Sequence, residues 1–375
     1  MPEHRDALES LNRDFSLSEK LASTHRVVKS RLPFVARIAV ALYDPKTTLL
    51  KSYVHSSGDG DAMSHYEAHL ADAPSLARIL EERRPRVINH ALTFEPAAHE
   101  HTRRLGRSGY AASYTLPMFY NGVFFGFVFF NSHEPDVFTE AALEQLDVFG
   151  HMVSLLVINE IASMHTLLAA VTTAAHMTHS RDPETGSHLD RMSRYARLIA
   201  RALAPEHDLD DEYIEHVFMF APLHDIGKIG IPDSVLLKAG RLTSDEVEVM
   251  KSHARKGREI IDDLLANFGL ETVEHVSILR NIAEHHHEAI NGGGYPAGLS
   301  GARIPLEARI VAVADVFDAL TSRRPYKEAW GNDRAFAMLE RMAGETLDAD
   351  CVRALRENRD EVELIQAQFA ENPLG

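Results

Sequence analysis

"SYTLPMFYNGVFFGFVFF", residues 113–130, decides the N-terminal fold. Two aromatic and β-branched runs flank Asn121-Gly122, the strongest short-range hairpin signal a sequence carries. Upstream, "FVARIAVALY" (34–43) and "LLKSYVHS" (49–56) are short β-rich runs divided by the turn cluster "DPKTT" (44–48). Helical stretches are expected around 75–83 and 97–106. The expected product is an antiparallel sheet with helices packed on it.

The rhythm changes at Thr139. "TEAALEQLDVFGHMVSLLVINEIASMHTLLAAVTTAAHM" (139–177) repeats apolar residues at helical spacing, with no proline and one glycine, Gly150. It reads as a long connecting helix paired with a copy of itself, or as two helices broken near Gly150. From Arg181 onward only helices are expected: 186–204, 211–227, 243–265, 272–289 and 306–322. Thr243-Ser244 before "DEVE" supplies a cap, and Pro305 opens the last of these helices. The division is therefore 1–158 for the α+β domain, 139–178 for the connecting helix and 170–370 for an all-α bundle.

The chain has 375 residues, 45% of them hydrophobic and 25% charged, the mix of a soluble globular protein. A net charge of −16 argues against a broad footprint for a nucleic-acid polymer, but a small anion can still bind at local cations or metals. The single cysteine, Cys351, excludes an intramolecular disulfide and fits a reducing cytoplasm. The charged N-terminus "MPEHRDALES" lacks a signal-peptide core, and "GVFFGFVFF" (122–130) is far short of the ~20 residues of a membrane helix, so no membrane partner is expected. Histidine stands out at 22 residues, which points to nitrogen and oxygen ligation.

Candidate ligands fall on separate segments. Glu184 and His188 are one helical turn apart. His224 and Asp225 are adjacent in "LHDIGKIG", and His253 lies in "MKSHARKG". Asp315 interrupts the apolar run 310–317, so it is expected to be buried beside a metal or an arginine such as Arg309. His286 and His287 belong to "HHHEAINGGGYP" (285–296). Adjacent helical residues point about 100° apart, so His285 is not expected to face the same point as its neighbours. His and carboxylate groups converging from several helices make metal sites in bundles. Eight of them suit two or three ions, and two ions about 3.5–4 Å apart form the clamp for in-line displacement at phosphorus.

"APLHDIGKIGIPDSVLLKAGRLT" (221–243), with "HHE" (286–288) and "GGGYPAGLSGARIPLEARIVAVADVFDALTSRRPYK" (292–327), resembles the HD-GYP phosphodiesterases of the HD phosphohydrolase superfamily. The resemblance covers about 170–355, and "RDPETGSH" (181–188) is its opening signature. It implies hydrolysis of cyclic di-GMP, a bacterial second messenger, to pGpG and on to GMP, in the cytoplasm. It implies a centre of two or three ions, iron or manganese, with zinc, nickel and cobalt as alternatives. The implied ligands are Glu184, His188, His224, Asp225, His253, His286, His287 and Asp315, with Glu184 favouring a third ion. His224, Asp225 and Lys228 carry the chemistry, Lys228 at the leaving oxygen. Asp182, Lys228, Tyr295, Arg324 and Lys327 bind substrate.

One departure is visible. Ala289, Ile290 and Asn291 stand where the family often has a basic residue and Trp-Asp. That substitution bears on affinity or selectivity rather than on the chemistry. Two alternatives are kept: a phosphodiesterase for another cyclic dinucleotide such as cyclic GMP-AMP, since metals read phosphate and not base, and a binding module without turnover, which lost ligands would have supported. Gly292–Gly294 are expected to form a flexible turn that passes close to metals and substrate. The N-terminal half resembles a GAF domain, which implies an unidentified small-molecule ligand and a homodimer through this domain and the connecting helix. No cysteine lies in 1–160, so a thioether-linked bilin is excluded.

Overall fold

A computed structural model describes residues 6–13, 15–57, 65–90, 109–178, 186–268, 275–323 and 328–370. The chain divides into two compact units, Met1–Met164 and His165–Gly375.

The first unit is built on one antiparallel sheet. Its strands are β1 (Arg37–Asp44), β2 (Leu49–Ser56), β3 (Glu67–His69), β4 (Arg86–Ile88), β5 (Ala112–Tyr120) and β6 (Val123–Ser132), in the spatial order β3-β2-β1-β6-β5-β4. The β5–β6 hairpin closes as its sequence predicts: Asn121 and Gly122 adopt φ of 49° and 81°, the positive pair that a type I′ turn requires. Helix α1 (Leu17–Arg31) lies outside the expected elements, although Ser16 and Glu19 form a full capping box at its start. Helix α2 (Pro74–Glu82) matches the expected 75–83, whereas 97–106 lies outside the described residues.

Helix α3 (Glu140–Thr178) is continuous, so the alternative of a break near Gly150 fails. A Cβ on Gly150 would lie 3.0 Å from Leu116, so the glycine lets the helix seat closely on the sheet. Leu146, Phe149, Val153 and Val157 of α3 join Leu21 and Val28 of α1 over Ile38, Leu116 and Phe130 on one face. Leu76 and Ile79 of α2 cover Ala39, Phe127 and Phe129 on the other. Both faces are thus buried, which explains why 127–130 is apolar without alternation. Within α3, Glu140–Ala162 is long and apolar enough to cross a membrane, although no uninterrupted apolar run of that length marks it in the sequence; its inner face is this core.

The second unit is helical. Its helices are α4 (Gly186–His207), α5 (Asp211–Phe220), α6 (Asp233–Leu236), α7 (Ser244–Lys251), α8 (His253–Phe268), α9 (Val276–His285), α10 (Leu306–Thr321), α11 (Asn332–Met342), α12 (Ala349–Glu357) and α13 (Arg359–Gln368). α4 packs against α5, α10 and α12, while α9 packs against α8 and α10. Three expected helices are shorter than their apolar spacing suggested, and the one expected over 272–289 ends at His285. The helix expected over 211–227 ends at Phe220, because Pro222 has no N–H for the ladder, and two 3₁₀ turns (Ala221–Leu223 and Ile226–Gly230) carry the chain past His224 and Asp225. The helix expected over 243–265 breaks at Ser252, whose hydroxyl donates to Val249 O, so His253 starts a new helix.

Candidate metal centre

Five segments of the second unit deliver the site. His188 comes from α4, His224 and Asp225 from the junction between the two 3₁₀ turns, His253 from the first residue of α8, His286 and His287 from just past the end of α9, and Asp315 from α10. They gather in two groups, Asp225–His253–His286–His287 and His188–His224–Asp315, with ligand atoms within 4.8 Å of one another in each. Seven of the eight expected metal residues are thus brought together. Glu184, Asp182, Arg324 and Lys327 lie outside the described residues.

Hydrogen bonds select the inward-facing nitrogen. His224 Nδ1 donates to Ala221 O at 3.0 Å, His253 Nδ1 to Met250 O at 2.8 Å and His286 Nδ1 to Ile282 O at 2.9 Å. His188 Nδ1 donates to Asp318 Oδ2 at 2.7 Å. Carbonyl and carboxylate oxygens only accept, so each Nδ1 carries a proton, and Nε2 is the nitrogen each ring turns to the site, with a free lone pair whenever the ring is neutral. His253 Nε2 then lies 3.1 Å from Asp225 Oδ1 and 3.5 Å from His286 Nε2, and His286 Nε2 lies 3.6 Å from the same oxygen. Three lone-pair atoms facing one another repel unless a cation sits among them. An ion about 2.1 Å from its nitrogen ligands sets neighbouring ligand atoms about 3.0–3.4 Å apart, close to these separations. The residues present therefore fit a divalent ion.

Asp225 joins the two groups. Its Oδ1 faces His253 and His286, while Oδ2 lies 3.2 Å from His224 Nε2 and 2.9 Å from Lys228 Nζ. Burial pushes this carboxyl up, but Lys228 and His224 more than offset it and hold it well below the usual carboxylate range. The two adjacent histidines shift the other way. Burial first, then the neighbouring His286, lowers His287 to about 2, and burial lowers His286. Both rings are neutral at ordinary pH, the form that ligates a metal.

Asp315 is 22% exposed rather than fully buried, and it faces His188. The arginine considered for it, Arg309, instead pairs with Asp348 at 2.6 Å. The fully buried carboxylate of α10 is Asp318, three residues on, which sequence reasoning missed although it interrupts the same apolar run. His285 belongs to neither group; its Nδ1 lies 3.8 Å from Glu288 Oε1.

The glycine turn differs from expectation in kind. It is tied down rather than flexible: Tyr295 N donates to His287 O, Asn291 N to Glu345 O, and Ile290 N to Thr346 O. The buried Glu288, also missed in the sequence, accepts from Ala297 N at 2.7 Å and Leu299 N at 2.9 Å. A Cβ on Gly294 would lie 2.3 Å from Ala289 N, so close backbone approach is what demands glycine there. The Tyr295 ring consequently stands 4.7 Å from His287, with Lys251 Nζ 5.7 Å above it. Gly227 plays a similar part, its missing Cβ leaving room for His253 O, whereas at Gly230 only the flexible Lys256 side chain comes near.

Comparison with known proteins agrees with this architecture. Residues 175–351 match the HD domain family and residues 21–157 match the GAF domain family. The chain is 50% identical over 190 residues to the cyclic di-GMP phosphodiesterase response regulator RpfG of Xanthomonas campestris, covering 51% of this chain and 47% of that protein. It is 42% identical over 204 residues to a cyclic di-GMP phosphodiesterase of Vibrio cholerae, covering 53% and 41%. It is also 34% identical over 195 residues to the 3'3'-cGAMP-specific phosphodiesterase 2 of Vibrio cholerae, covering 52% and 35%. The chain spans about half the length, or less, of these relatives. The stretch that matches the GAF domain family thus precedes the stretch that matches the HD domain family.

Proposed function

We propose that this protein is a metal-dependent phosphodiesterase that hydrolyses cyclic di-GMP to pGpG and on to GMP, under the control of its GAF domain. The observation that carries this reading is the pair of histidine–carboxylate groups bridged by Asp225. Two or three divalent ions, iron or manganese by this donor set, would supply Lewis acidity and an activated water.

The chain's own residues do the rest. His253, His286, His287 and Asp225 would hold one ion; His188, His224 and Asp315 would hold another; Glu184 would extend the set toward a third. The Lys228 ammonium, kept beside Asp225 at 2.9 Å, stands ready to donate to the leaving oxygen. Tyr295 offers its ring and hydroxyl to the nucleotide, while burial and the neighbouring carboxylate Asp225 raise that hydroxyl and keep it protonated. Asp182, Arg324 and Lys327 serve the rest of the substrate, the two cations at its phosphates.

The purified, iron- or manganese-loaded protein, incubated anaerobically with cyclic di-GMP, is expected to release pGpG and GMP by chromatography. Absence of turnover with either metal sinks the reading, and tight binding without turnover supports a binding module instead. Ala289-Ile290-Asn291 and the likeness to a cGAMP-specific relative favour one competing substrate, cyclic GMP-AMP. A competition assay with both nucleotides decides between them. The substrate, a bacterial second messenger, implies a cytoplasmic site of action. A homodimer is supported by Val148 and Leu155, seven residues apart on α3 and 68% and 60% exposed. A small-molecule ligand for the GAF-like domain rests on the resemblance to that family, which residues 21–157 match.

A further inference from the structure

We propose that Asp318 is a positioning residue that selects the ligating nitrogen of His188 and, together with Arg191, governs occupancy of the ion site formed by His188, His224 and Asp315. The inference rests on the metal-centre reading above. Asp318 is fully buried, and four donors converge on its carboxylate. His188 Nδ1 reaches Oδ2 at 2.7 Å, Arg191 Nε reaches Oδ1 at 2.7 Å, Arg191 Nη2 reaches Oδ2 at 2.9 Å, and Ser322 Oγ reaches Oδ2 at 2.8 Å.

His188 differs here from the other ligand histidines. His224, His253 and His286 each donate to a backbone carbonyl three or four residues earlier, so the chain immediately before each one orients its ring. The orientation of His188 comes instead from a side chain 130 residues away. Arg191 sits on α4 with His188, one turn on, and clamps the same carboxylate. Its remaining nitrogen donates to Phe369 O at 2.9 Å, beyond the end of α13. Asp315 and Asp318 in turn share one face of α10, a turn apart. One helix thus provides a ligand, and its next turn provides the anchor that aims the second ligand. A carboxylate behind a metal-bound histidine typically changes metal affinity 10- to 100-fold.

Asp318→Asn tests this with little change in shape. An amide keeps one acceptor oxygen, so its NH2 must oppose either the Arg191 Nε donor at the Oδ1 position or the His188 Nδ1 donor at the Oδ2 position, and the negative charge on which both converge is lost. The full-length protein, wild type and variant, is titrated anaerobically with manganese, and bound ions per chain are counted by elemental analysis. The variant is expected to hold one ion fewer, or to bind one ion about 10- to 100-fold more weakly, with the remainder unchanged. Equal stoichiometry and equal affinity overturn the proposal, whereas a wild type that binds no manganese overturns the metal reading itself. Arg309→Met provides the structural control, because it removes the other ion pair of α10, Arg309–Asp348 at 2.6 Å. It is expected to lower Tm and to keep every ion; loss of the same ion there shows general loosening of α10 and overturns the proposal. Should Asp318→Asn fail to fold, Ser322→Ala carries the test: a few-fold weakening of one ion supports it, and an unshifted titration overturns it.

Discussion

Asp225 is the residue on which the two halves of the site depend. Its two oxygens address different groups, Oδ1 toward His253 and His286 and Oδ2 toward His224. Asp225→Ala should therefore cost more bound ions per chain than Asp315→Ala, which touches one group only. Elemental analysis of both variants checks this; equal losses would show that Asp225 does not bridge. The ligand types were legible in the sequence because histidines and a lone carboxylate in an apolar helix have few structural uses. Asp318 was not, although it satisfies the same criterion as Asp315. Nothing in a sequence says which of two carboxylates three apart faces the ions and which faces an arginine from another helix. Gly294 shows the same limit. Three glycines suggested freedom, while the cause is that a Cβ at 294 would meet the Glu288–Ala289 backbone. Gly294→Ala should displace Tyr295 and weaken nucleotide binding more than it lowers manganese content, as paired calorimetric and elemental measurements would show.

At the scale of elements, the 3₁₀ turn Ile226–Gly230 is pressed against the start of α8. A Cβ on Gly227 would lie 1.8 Å from His253 O, so Gly227→Ala must push apart two ligand-bearing segments. A loss of stability of about 1–3 kcal/mol and a loss of bound metal should appear together. Urea unfolding and ion counting give both readouts, and stable, fully loaded protein would refute the close-approach account. Asp348 governs a different junction. It caps α12 through Asp350 N and Cys351 N and pairs with Arg309 of α10. Burial pushes its carboxyl up, but Arg309 and the cap amides more than offset this, so it sits below its ordinary value. A depressed carboxyl contributes stability that is present above the unfolded value, about 3.9, and lost as pH falls through the folded one. Asp348→Ala should therefore cost about 1–3 kcal/mol at pH 7, with the gap to wild type closing below about pH 4. A gap that persists in acid would place the loss in packing rather than charge. The expected helices 211–227 and 243–265 failed at these same junctions, since apolar spacing carries on through a turn that Pro222 or Ser252 ends.

For the whole molecule, the homodimer proposed through α3 is open to a direct test. Leu155→Glu should shift the species measured by light scattering from dimer to monomer without unfolding the first unit, because Leu155 lies outside its core. An unchanged mass would remove α3 from the interface. The sequence alone determined the two-part plan, the hairpin at Asn121-Gly122, the helical character of 139–177 and the types of the candidate ligands, while the continuity of α3 past Gly150 came from the structure. Those are decided by local physics: positive φ at a two-residue turn, helical periodicity, and the rarity of clustered imidazoles. Only the tertiary structure decided how the ligands divide into two groups, that Asp225 serves both, that Asp318 aims His188, and that the glycine turn is tied rather than loose. Each of these depends on contacts between segments distant in the chain, and spacing along one segment holds no information about which distant partner will meet it.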